Sequence, residues 1–128
     1  MSYYFSTEVA GEFVKVVDRT TKALKEEGFG ILTEIDVKAT LKEKLGVDFD
    51  NYRILGACNP PYAYKALQAE NKIGTMLPCN VVVRQAKEGK IEVAAIDPVA
   101  SMQAVNNPAL KDIALEIQQK LKKVIESL

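Results

Sequence analysis

The residues best suited to chemistry in this 128-residue sequence fall in three short motifs, Cys58-Asn59-Pro60, Cys79-Asn80 and Asp97-Pro98. Two thiols, two carboxamides and a carboxylate suit three kinds of work: a thiol nucleophile or redox pair, a thiolate metal site, or the polar contacts of a binding pocket. Histidine is absent. Its absence removes every Ser-His or Cys-His nucleophile pair, the usual general base and the commonest transition-metal ligand.

The nucleophile reading draws on Cys58 standing just before a helix N-terminus, a position that favours thiolates. The sequence weakens it there. Pro60 and Pro61 carry no N–H, and an Asn59 side chain capping the Tyr62 N–H would leave few donors for a thiolate, an oxyanion or a phosphate. The cysteines do not form the CxxC spacing of a local dithiol. Two thiolates with Asp97 would give zinc three ligands without histidine, but at no standard ligand spacing, so no metal site is expected. The plain structural alternative is that both thiols are small buried apolar groups at strand ends. Asp97 has an ordinary duty available, capping the turn at Pro98.

The elements that must hold these residues are readable from periodicity and punctuation. Cys58 closes a strand from Tyr52, with Tyr52, Ile54, Gly56 and Cys58 on one face and Arg53, Leu55 and Ala57 on the other. Asn59 before Pro60 reads as an N-cap and first-turn proline for a helix to Glu70. Pro78 marks a strand start, and Cys79 to Ala86 and Ile91 to Asp97 read as a hairpin whose three-residue loop, Lys87 to Gly89, ends on a left-handed glycine. That loop pairs Ala86 with Lys90 and, counting back, sets Cys79 opposite Asp97. Antiparallel strands would bring both thiols to one end of the sheet, gathering Cys58, Asn59, Cys79, Asn80 and Asp97.

Around this centre, Ser2 to Glu8 reads as a first strand, and Phe13, Val17 and Leu24 space as a helix stopped at Gly28. Phe29 to Val37 follows as a strand, and Val37, Leu41 and Leu45 as a short helix ending at Gly46. Asn107-Pro108 opens a final helix whose stripe is Leu110, Ile113, Ile117, Leu121, Ile125 and Leu128. The expected fold is a single α+β domain over residues 1–128, with an antiparallel sheet of about five strands covered by amphipathic helices. Gly28-Phe29-Gly30 follows a helix and precedes a strand, the wrong order for a dinucleotide fingerprint.

Composition narrows the partners. Lys and Arg number 17 and Asp and Glu 17, so the net charge is zero, and no basic stripe invites nucleic acid. Lys120, Lys122 and Lys123 suit the end of a helix dipole. No uncharged run approaches membrane-spanning length and the first residues have no signal-peptide pattern, so a cytoplasmic protein with reduced thiols is expected. Apolar residues make up 48% and charged residues 27%, an ordinary globular mix that needs no disulfide or metal staple at this length. Asp48, Asp50 and Asn51 lack the glycine and twelfth-position glutamate of a calcium loop and read as a solvated turn. Tyr62 and Tyr64 adjoin the cysteine end, and Arg53 and Arg84, were they to share a face, would suit an anion.

Ile54-Leu55-Gly56-Ala57-Cys58-Asn59-Pro60, then Leu77-Pro78-Cys79-Asn80-Val81-Val82-Val83, then Asp97-Pro98, resemble the domain of unknown function 302 family. The opening helix ending in Gly28-Phe29-Gly30 is similar too, so the likeness covers essentially the whole chain. It implies a strand, helix, four strands, helix order of the TATA-box-binding-protein-like kind, and a homodimer of bacteria and archaea. It implies no established activity, leaves any cofactor unknown, and assigns no role to the signature positions. Two functions remain open on the sequence: a module that binds or senses a small molecule or partner at the Cys58/Cys79 end, and a thiol-dependent redox or sulfur-handling enzyme using both cysteines.

Overall fold

A computed structural model describes residues 2–128. The chain runs β1 (Tyr4–Ala10), α1 (Phe13–Glu26), β2 (Gly30–Asp36), α2 (Val37–Leu45), β3 (Tyr52–Cys58), α3 (Pro60–Ala69), a 3-10 turn (Ile73–Met76), β4 (Cys79–Lys87), β5 (Lys90–Ile96), α4 (Pro98–Ser101) and α5 (Pro108–Glu126). The five strands form one sheet in the order β1-β5-β4-β3-β2, and every adjacent pair is antiparallel. The class is α+β, as the pattern of two long helices around strand-rich stretches requires.

Alternation along the strands divides the sheet into two faces. One carries Leu55, Ala57, Val81, Val83, Ile91, Val93 and Ala95, all buried, and it packs on Phe13, Val16, Val17 and Leu24 of α1 and Ile117, Leu121, Val124 and Ile125 of α5. Thr20, at the same helical face of α1, is fully buried because its hydroxyl donates to the Val16 carbonyl at 2.8 Å. The opposite face, with Tyr4, Tyr52, Ile54, Val82 and Ile96, has no long helix over it and these residues stay half-buried or exposed. A second small cluster of Ala66, Ile73 and Leu110 lies under α3, the 3-10 turn and the start of α5.

Gly28, Gly46 and Asn107 act where the sequence puts them, while the hairpin loop and the two arginines do not. Gly28 and Gly46 follow α1 and α2 at φ of 89° and 67°, Asp36 accepts from the Ala39 N–H and Asn107 from the Ala109 N–H. The hairpin loop is shorter than the three residues expected. Lys87 pairs with Lys90 across Glu88 and Gly89, and the extra residue, Ala86, is accommodated by a register shift in β4. Below it the count is unchanged, with Gln85 opposite Ile91 and Val81 opposite Ala95. The second correction concerns the arginines: Arg53 faces the helices, 5.8 Å from the Phe13 ring centre, while Arg84 lies on the other face with Glu92, so they share no site.

A thiol-lined apolar cavity

Cys58 is the last residue of β3 and Cys79 the first of β4, and the β3–β4 register places Cys79 directly across from Ala57. Both cysteines are free thiols, and both line one cavity of about 310 Å³. The end of the sheet contributes Phe29 and Ala57, α3 contributes Tyr62, Ala63, Ala66 and Leu67, and α5 contributes Ile113, Ala114 and Ile117. Leu77, Pro78, Pro98 and Met102 complete much of the wall, and no charged side chain lines it. The cavity lies between the main core and the smaller cluster, drawing wall residues from both.

Small side chains make the space. Ala66 and Ala114 are both buried, 2% and 4% exposed, at helix positions where a larger apolar side chain would close the gap between α3 and α5. Gly56, next in β3, is required by packing: a Cβ there would run into the Thr33 side chain and lie 2.8 Å from Cγ of Pro78. Pro78 follows a cis peptide bond at the mouth of β4.

Burial governs the electrostatics. Desolvation pushes the Cys79 thiol from its ordinary 9.0 to about 11, and the neighbouring Cys58 adds to the rise by opposing a second negative charge. Cys58 is also raised by desolvation. Both are therefore protonated thiols at neutral pH, opposite to the depressed pKa of an activated cysteine. Tyr62 is raised chiefly by the Glu116 side chain beside it and, beyond that, by desolvation.

The five residues expected to gather divide into two groups. Cys58, Asn59 and Cys79 line the cavity. Asn80 does not, because strand alternation turns it to the opposite face, where it is exposed across from Gly56. Asp97 does not either. β5 ends at Ile96, the Asp97 N–H donates to the Tyr3 carbonyl, and its carboxylate accepts from the Val99 N–H and from Nε2 of Gln118, each at 3.0 Å. Among the described residues no three of the Cys, Asp and Glu side chains gather as a metal ion would need. Asn59 differs from the expected cap: its side chain makes no bond to α3, and instead Nδ2 donates to the Glu27 carbonyl at the end of α1, at 3.2 Å. The α3 start is closed by backbone alone, with Tyr62 and Ala63 N–H groups on the Asn59 carbonyl.

Sequence reasoning missed the helical walls, Tyr62 aside, and Phe29. One sign was present: the α5 stripe steps from Leu110 to Ala114 at i+4, a small residue where the periodicity asks for a large one. Asp48 is a solvated partner of Lys42 at 3.0 Å, as a surface turn requires, and Arg53 pairs with Glu34 at 2.8 Å.

No helix is long and apolar enough to cross a membrane among the described residues. No curated protein matches the chain. The crystal structure of an uncharacterized conserved protein DUF302 from Bacillus stearothermophilus is similar at 32% identity, with a TM-score of 0.89 over 98% of this chain and 98% of that one. The family model described as domain of unknown function DUF302 matches residues 5–128. With that pattern running from within β1 to the last residue, and the backbone shared over nearly its full length with a solved member, this protein belongs to the DUF302 family, whose function is unknown.

Proposed function

We propose that this protein is a binding or sensing module for a small, uncharged, mainly apolar molecule held in the cavity at the Cys58/Cys79 end of the sheet. One observation carries the reading: a volume of about 310 Å³, at the lower end of the range of small-molecule sites, is walled by apolar side chains and by no charge. Charged metabolites would be desolvated there without a partner, whereas an apolar one gains by leaving water. The test is a titration with the neutral dye N-phenyl-1-naphthylamine, whose emission rises in apolar surroundings. Saturable binding by the wild type, lost in Ala66→Phe with the fold retained, supports the reading. No saturable binding to a folded wild type overturns it.

Thiol-dependent redox or sulfur chemistry is the second reading, favoured by two sulfurs on one cavity wall. The raised pKa of each thiol weighs against it. We also infer a cytoplasmic homodimer. In support, the sheet face without a long helix, where Tyr4, Tyr52 and Ile96 border a shallow groove, is left uncovered for a second copy. Light scattering behind a sizing column reads the mass directly, and a monomer at micromolar concentration would refute the dimer.

A further inference from the structure

Within the cavity wall, Asn59 is the residue that can select among apolar ligands. It is 8% exposed, and its amide is oriented by chemistry: the Glu27 carbonyl can only accept, so the nitrogen must face it. Gly28 leaves the room for that approach, since a Cβ there would stand 3.1 Å from Nδ2. Oδ1, the other arm of the amide, is not bonded to α1 and lies 3.8 Å from where a Gly28 Cβ would stand. It accepts no hydrogen bond, from α3 or any other described residue, yet it is not sealed from a solvent-sized visitor, and the cavity is the one concavity described that Asn59 borders. An acceptor so placed, more than nine-tenths buried as a residue and surrounded by apolar walls, is satisfied only by what enters.

We propose that the cavity takes a neutral, predominantly apolar molecule bearing one hydroxyl or N–H group, which donates to Oδ1 of Asn59. This inference rests on the binding reading above and specifies its ligand class. The other side chains with polar atoms on the wall are the two thiols, weak donors and weak acceptors that contribute polarizable contact more than direction, and Tyr62, whose hydroxyl is drawn to Glu116. A carboxylate or phosphate would meet the Oδ1 dipole with the wrong sign and find no cation on the wall. An ammonium group would find an acceptor but no countercharge.

The test uses the wild-type protein and a matched set of probes: 2-naphthol, naphthalene, 2-methoxynaphthalene and 2-naphthoate, each titrated by calorimetry or fluorescence. The expected result is 2-naphthol about tenfold tighter than naphthalene and 2-methoxynaphthalene, the scale of one neutral hydrogen bond, with 2-naphthoate weakest. In Ala66→Phe all binding is expected to vanish. Affinities of 2-naphthol and naphthalene within twofold of each other would overturn the role of Asn59 while leaving an apolar binding cavity intact. Naphthoate equal to naphthol would overturn the neutrality of the ligand. A naphthol preference surviving in Ala66→Phe would put its donor elsewhere and overturn the assignment. No binding of any probe would count against the binding reading itself.

Discussion

Alkylation of Cys79 as a function of pH tests the electrostatics of the cavity directly. With its thiol pushed to about 11, the thiolate fraction at pH 8 is about 0.1%, against about 9% for a thiol at the ordinary 9.0. That alone slows attack about a hundredfold. The more basic thiolate is intrinsically more nucleophilic, with a sensitivity of about 0.4–0.5 per pKa unit, which returns roughly a factor of ten. A net slowing of about tenfold remains before any loss of access. The assay is iodoacetamide pulse labelling followed by peptide mass spectrometry, with the urea-unfolded chain as reference. In the folded protein the Cys79 rate should climb close to tenfold per pH unit from pH 8 to 10 without levelling, with Cys58 labelling ahead of it. In urea both rates should pass their midpoint near pH 9 and level by about pH 10. A folded-state midpoint for Cys79 at or below pH 9, with the rate level by about pH 10, would show an ordinary or activated thiol and refute the desolvation argument, and with it the objection to thiol chemistry.

Three further outcomes follow from the same coordinates. Because the folded pKa of Cys79 lies above its unfolded value, its contribution to stability is fully present below pH 9 and is lost as pH rises toward 11. Wild type should lose about 2–3 kcal/mol more than Cys79→Ala across that window in urea melts, and parallel losses would contradict it. Gly56→Ala should destabilise by about 1–3 kcal/mol, since the new methyl meets Pro78 and Thr33, and Thr33→Ala in the same chain should recover part of it; an unchanged denaturation midpoint would count against the packing described. Asp97→Ala should cost about 1–2 kcal/mol by removing the acceptor for Val99 and Gln118, with Asn in its place close to wild type; equal losses for both substitutions would point to charge instead of capping.

What could be read from residues alone follows the range of the interactions involved. β3 is bounded as expected at Tyr52 and Cys58, because alternation, the following cap residue and Pro60 all act within a few residues. The hairpin count survived below the loop despite an error at its tip: moving a residue from loop to strand left Val81 opposite Ala95 unchanged. Facing was harder. Asn80 sits beside Cys79 in sequence, but alternation puts neighbouring residues on opposite faces, so a shared motif did not mean a shared site. Asn59 looked like a cap to α3 because that is what Asn before Pro ordinarily does; its bond to Glu27, far away in the chain, depends on where α1 ends in space. The cavity depends on Ala66 of α3 and Ala114 of α5 lining one space; the small residue at 114 shows in the stripe, but no local pattern encodes which helix faces it.

The order of strands has a consequence for how the chain is made. β1 is made before the other four strands, yet its partner is β5, with Tyr4 paired across from Ile96, and α5 then packs on that pair. An early segment that alternates Phe5, Thr7 and Val9 toward a core not yet synthesised must wait until β5 is made before its ladder can close. β2, β3, β4 and β5 can pair in succession as they appear, by contrast, each with the neighbour before it. Closure of the sheet is thus a late, high-contact-order event in biogenesis, and the nascent amino-terminal strand is the segment most in need of protection until it happens.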